Sequence, residues 1–151
     1  MSKQQHPYRV QVFKGEGRFF IIPMLKHIAG YYIDSDWYRA LSYTAECYEL
    51  GKSIFEAMDV VRSSMVAITN GNEPAAWAIN SKYKSWRAFS NHNIMVRINM
   101  LEDNSYDIWP YSGEELWHVL LPETATAEEI GEAILNMFDE LEKMGVKKLY
   151  R

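Results

Sequence analysis

Residues 123–134 read ETATAEEIGEAI, and residues 43–54 read YTAECYELGKSI. Both open an amphipathic helix, and both carry a glycine in the second turn, where it costs about 1 kcal/mol relative to alanine. Taking that loss twice at matching places points to a repeated packing arrangement. With Gly51 set over Gly131, an offset of 80, seven of 22 positions agree between 37–58 and 117–138. They are Trp37/Trp117, Leu41/Leu121, Thr44/Thr124, Ala45/Ala125, Glu49/Glu129, Gly51/Gly131 and Ile54/Ile134. Ordinary composition gives about one or two such identities. Upstream, an offset of 87 sets FKGEGRFFIIP (13–23) over MLEDNSYDIWP (100–110), sharing Ile21/Ile108 and Pro23/Pro110. The two matches come in the same order, so the chain reads as an internal repeat, 9–62 and 96–144, linked by 63–95 within a single domain, 1–151.

Each copy spells strand, turn, strand, loop, strand, helix. Val10 and Val12 alternate on one face of YRVQVFK, as do Val96, Ile98 and Met100 in VRINM. GEG (15–17) and EDNS (102–105) supply hairpin turns, with FFIIP and YDIWP as the second strands. Both are expected to end at their proline, which cannot donate to a ladder. WYRALS and WHVLLP are the third strands. In the helices Cys47, Leu50, Ile54, Ala57, Met58 and Val61 keep helical spacing, with Ala127, Ile130, Ile134, Met137, Phe138 and Leu141 in the second copy. Thr126-x-x-Glu129 forms a capping box and Gly145 marks a stop, whereas Glu46 stands where the first helix would want a threonine. The expected fold is α+β: two β-β-β-α repeats forming antiparallel sheet with helices packed on one side. Gly51 and Gly131 face inward, letting helix and sheet, or the two helices, approach closely.

Between the copies, TNGNEP is a loop signal, and Ser81 could cap a short helix containing Trp86 and Phe89. The 151 residues are 48% apolar with 14% aromatic side chains, enough for a core and too much for extended disorder. No apolar run approaches a membrane span of about 18 residues, and MSKQQHPY lacks a signal-peptide core, so a cytoplasmic location without membrane association is expected. Cys47 is alone, which excludes an internal disulfide; its place on the apolar helix face reads as packing. The net charge of −4 argues against a nucleic-acid partner.

The sequence contains no Gly-rich phosphate loop, H-E-x-x-H, C-x-x-C or G-x-S-x-G. His6, His27, His92 and His118 are isolated from one another and from Cys47, so neither a metal nor another cofactor is expected. The carboxylates offer no recognisable acid–base pair, and no catalytic residue is assigned. What distinguishes the copies is a loop. Thirteen residues separate Pro23 from Trp37, and six separate Pro110 from Trp117. The longer loop brings together Tyr31, Tyr32, Asp34 and Asp36; the shorter holds Glu114 and Glu115. Tyrosines among carboxylates are good interface material, since Tyr offers large area at low entropic cost.

YKSWRAFSNHNIMVRI, then YDIWP, then a strand and ETATAEEIGEAILNMF, resembles the immunity proteins of bacterial contact-dependent growth inhibition systems. The resemblance covers roughly Tyr8 to Met144 and rests on loose motifs: Lys84, Ser85 and Phe89, and the helix start Glu129, Ile130 and Gly131. It implies a non-enzymatic protein that binds and neutralises a cognate toxin domain, commonly a nuclease, with no small-molecule substrate. Tyr31, Tyr32, Asp34, Asp36, Glu114 and Glu115 are the expected toxin-binding residues, chosen from the loops rather than carried over from the family. Two other readings stay open: a small hydrolase-type enzyme using His27 or His118 with nearby carboxylates, and a protein-interaction module unrelated to toxins.

Overall fold

The computed structural model describes residues 8–26, 32–34, 37–63, 85–111 and 117–147. The elements are β1 (Tyr8–Gly15), β2 (Arg18–Lys26), β3 (Tyr32–Asp34), β4 (Arg39–Ser42), α1 (Cys47–Ser63), α2 (Trp86–Asn91), β5 (Ile94–Met100), β6 (Tyr106–Tyr111), β7 (Val119–Leu121) and α3 (Ala127–Lys143). All strands join one antiparallel sheet, in which β1 and β5 form the centre, β6 and β7 follow on one side, and β2 follows on the other. The outer side of β2 carries both β4, along Arg18–Ile21, and β3, along Met24–Lys26. The fold is α+β; the second half reads β-β-β-α as expected, and the first half adds β3 to that order.

The registers of the copies correspond residue by residue. Phe19↔Leu41 and Ile21↔Arg39 in the first are matched by Tyr106↔Leu121 and Ile108↔Val119 in the second. In the first hairpin Glu16 and Gly17 both adopt positive φ, 57° and 79°, which makes a tight two-residue connection whose twist suits the flanking strands. The second hairpin pairs Met100 with Tyr106 and needs a five-residue connection, Leu101–Ser105. Lys14 pairs with Phe19 at the same place in the first, so that turn is one residue shorter.

Alternation divides the sheet into two faces. Val10, Val12, Ile21, Val96, Ile98 and Ile108 point to α1 and α3, and form the larger core with Ile54, Met58, Ile134 and Phe138. Phe13, Phe20, Ile22 and Met95 point the other way and are covered by Phe89 of α2. The two long helices thus share one side of the sheet, and the six-residue α2 lies against the other. The cap of α2 is Ser85, whose hydroxyl accepts from the Ala88 N–H, and not Ser81, which lies outside the described residues.

Gly51 and Gly131 mark the contact between α1 and α3. A Cβ on Gly51 would stand 1.7 Å from the Ala127 carbonyl oxygen, and one on Gly131 would stand 1.9 Å from that of Cys47. Ala127 and Cys47 are themselves equivalent at the offset of 80. Each helix therefore seats its glycine on the first turn of the other. The same interlock leaves Cys47 half-buried, not fully in the core as its helical spacing suggested.

Among the strands, two expectations change. The second strands do not end at proline: β2 runs on to Lys26 and β6 to Tyr111. Pro23 pairs with Val10, and on its outer side stands opposite the gap between β4 and β3. Pro110 pairs with Val96 beyond the reach of β7. Neither proline is called on to donate, so neither interrupts the strand. The second change is β3. Part of the longer loop adds a strand, because Tyr32-Ile33-Asp34 finds the free edge of β2 that β4 leaves open. Among the described residues, no helix is long and apolar enough to cross a membrane.

Candidate partner-binding grooves

The second half of the sheet meets its helix along a groove, and the equivalent place in the first half has different chemistry. In the second half, β7 and α3 enclose a cleft of about 340 Å³. Trp117, Val119, Leu121 and Met137 form its apolar floor, and Glu129, Glu132 and Glu140 its rim. β7 pairs only with β6 among the described residues, so the cleft opens at an edge of the sheet.

The rim carboxylates differ in how they are held. Glu129 is tied down by the capping box: the Thr126 N–H donates to its Oε1 at 2.9 Å, and the Thr126 hydroxyl accepts from the Glu129 N–H at 3.2 Å. The donor at the Thr126 backbone, with the hydroxyl second, holds the Glu129 carboxyl below its ordinary pKa. Glu140 shares an exposed contact with Lys143 at 3.4 Å, of a kind that contributes little to stability. Glu132 has no hydrogen bond or ion pair among the described residues and is exposed. Along α3 six carboxylates face one lysine, whereas α1 carries three against two bases.

In the first half, the positions of Trp117, Val119, Glu132, Asn136 and Glu140 are taken by Trp37, Arg39, Lys52, Glu56 and Val60. Arg39 reaches both Trp37 and Glu56. Its guanidinium carbon sits 5.4 Å from the centre of the Trp37 ring, and its Nη2 donates to Glu56 Oε2 at 2.5 Å. The equivalent place in the first half is thus occupied by the protein's own arginine. In the second, Val119 reaches no carboxylate.

A separate constellation lies on the face opposite α1 and α3. His118, just before β7, places Nδ1 2.7 Å from Oδ1 of the buried Asp107 and stacks on Trp109 at 4.3 Å between ring centres. Arg97 on the neighbouring strand lies over Tyr111 at 5.1 Å. The pair brings a base and an acid within reach, but among the described residues no nucleophile is bonded to His118. Sequence spacing could not have found it, because Asp107 and His118 meet only through the β6–β7 pairing. Among the described residues no three His, Cys, Asp or Glu gather in a way that could hold a metal ion.

Of the expected toxin-binding residues, Tyr32 and Asp34 fall in β3, opposite Lys26 and Met24. Tyr31, Asp36, Glu114 and Glu115 lie outside the described residues, as does His27. The two tryptophans that close these loops are described, and both pack against the larger core. The groove beside Trp117 was missed by sequence reasoning, although its signal was present as the exchange of Arg39 for Val119 and of Lys52 for Glu132.

No protein-family pattern and no curated protein matches this sequence. The architecture, two β-β-β-α units in one sheet, is found in solved structures. A protein of unknown function from Neisseria meningitidis superposes with a TM-score of 0.64 at 15% identity, over 93% of this chain and 99% of that one. A chain of the CdiA-CT/CdiI toxin and immunity complex from Yersinia pseudotuberculosis superposes with a TM-score of 0.59 at 13% identity, over 87% of this chain and 95% of that one. At these identities the similarity establishes a shared fold.

Proposed function

We propose that this protein is an immunity protein that neutralises a toxin domain, a nuclease by preference, through direct binding. The observation that carries the reading is the similarity in fold to a chain of a toxin–immunity complex, extending over nearly all of both chains. The sequence resemblance to immunity proteins supports the immunity side of such a complex over the toxin side. An acidic surface concentrated on α3 suits a basic partner, since complementary charge speeds encounter and rejects wrong partners more than it raises affinity. Neutralising a toxin that acts at few copies calls for nanomolar binding or tighter, about −12 kcal/mol.

The test is co-expression with the toxin domain encoded beside it, followed by calorimetry and kinetics on the purified pair. We expect protection in cells and a one-to-one complex. Within the proposed loop interface, reversing Asp34 and Asp36 together slows association, most at low salt. Tyr31→Ala or Tyr32→Ala instead speeds dissociation. Absence of binding and protection would remove the reading; growth arrest on expressing this chain alone would place the fold on the toxin side; binding without protection would leave an interaction module. Asp107 beside His118 keeps an enzymatic reading in play. It predicts a hydrolytic activity lost in His118→Ala, whereas an immunity protein keeps full protection with that substitution unless the pair lies in the interface.

A further inference from the structure

We propose that the groove between β7 and α3 receives an arginine side chain from the protein partner, in the place beside the tryptophan that Arg39 takes in the first half. The two places share their framework: a tryptophan entering the third strand, a leucine four residues after it, and a helix beginning ten residues after the tryptophan. In the first, the guanidinium lies over Trp37 and donates to Glu56, so a planar cation fills the space between strand and helix. In the second, Trp117 is retained beside an open cleft, the cation is gone, its acceptor Glu56 is replaced by Asn136, and the negative charge is greater. Lys52 becomes Glu132 and Val60 becomes Glu140. The floor is apolar and the rim anionic, which matches the two sides of an arginine, whose methylenes and flat face pack on apolar and aromatic surface while its edge donates to carboxylates. Lysine fits less well, because its compact, strongly hydrated ammonium lacks the flat face and forked edge that let a guanidinium stack on an indole while donating to a carboxylate. Glu132 is ready to accept, and Glu140 has only its exposed contact with Lys143 to exchange.

This inference deepens the binding reading and depends on it only for the identity of the partner; the groove can be tested without the toxin. The probe is a capped Gly-Arg-Leu-Arg-Gly peptide titrated into the full chain, with its citrulline counterpart as control, which keeps shape and loses charge. The readout is the indole and backbone NMR signals of Trp117 and residues 129–140. We expect saturable shifts confined to this groove, at least tenfold weaker binding for the citrulline peptide, and a similar loss in Glu132→Gln/Glu140→Gln. Val119→Arg should abolish binding, because its own arginine then lies in the groove beside Trp117 and the Asn136 amide oxygen, which stands where Glu56 does in the first half. Glu132→Gln/Glu140→Gln changes only exposed side chains, so it guards against a Val119→Arg variant that fails to fold. Equal binding of the two peptides, unchanged binding in both variants, or no saturable shift at the groove would overturn the proposal. Protection in cells that survives Val119→Arg would also overturn it while leaving the immunity reading intact, and failure of wild-type protection alone would sink only the latter.

Discussion

Gly51 and Gly131 touch backbone, and this sets them apart from ordinary helix glycines. Added methyl groups would fall 1.7 and 1.9 Å from carbonyl oxygens that belong to another helix and cannot rotate away. Alanine at either position improves helix propensity by about 1 kcal/mol and yet must push α1 and α3 apart. We expect Gly131→Ala to lower unfolding stability by at least the 1–3 kcal/mol typical of overpacking. Urea denaturation measures it, and a variant as stable as the wild type would mean that the helices can separate freely. Gly51→Ala should behave alike, and the double variant should cost less than the sum, because the first substitution has already opened the contact that the second one strains. The periodicity of Leu50 and Ile130 was enough to place both glycines on an inward face. It could not reveal that each faces the other's helix, because the neighbour is a main-chain oxygen, and every residue carries one.

At the scale of elements, the two long helices differ most at their starts. α3 begins with a complete capping box, Thr126 and Glu129, while α1 begins after Glu46 with the Leu50 N–H bonded to the Glu46 carbonyl in the ordinary helical way. The hydrogen bonds that hold Glu129 ionised make its folded pKa lower than its unfolded one. Such a group adds stability above its unfolded pKa, near the ordinary 4.5, and that contribution disappears as the pH falls through the lower folded value. Denaturation midpoints followed from pH 6 to pH 3 should therefore fall less steeply in Glu129→Gln than in the wild type, and identical acid limbs would remove the capping account. Thr126→Ala should cost about 1 kcal/mol at neutral pH, as losing a cap does elsewhere. The capping box and both helices were legible because they depend on residues close in sequence. β3 was not, since three residues form a strand only where a longer neighbour offers an unused edge, and that edge exists because β4 stops at Arg39. The arginine beside Trp37 escaped notice for the same reason. Arg39 and Glu56 are 17 residues apart on different elements, and nothing local joins them.

For the whole molecule, the arrangement of the repeats determines how it should unfold. In a stacked tandem repeat each unit contacts only its neighbours, and folding can begin in any of them. Here the first strand of each copy, β1 and β5, pair with one another at the middle of the sheet, through Gln11↔Arg97 and Val12↔Val96. The larger core draws on Val10, Ile21 and Met58 from one half and Ile98, Ile108 and Phe138 from the other. With each helix also resting on the first turn of its counterpart, neither half encloses a core without the other. We read the correspondence as an internal duplication whose halves have become a single folding unit. Unfolding should accordingly be one transition, with far-ultraviolet circular dichroism and tryptophan fluorescence giving the same midpoint. Native-state hydrogen exchange should place the slowest amides in β1 and β5, bonded on both sides, and faster exchange in β7 at the edge. Gly131→Ala, although it lies in the second copy, should speed exchange of the slowest amides of β1 and β5 equally. Two separate transitions, or acceleration confined to β5–α3, would show instead that the copies fold independently, and would leave the crossed glycines as a local contact between them.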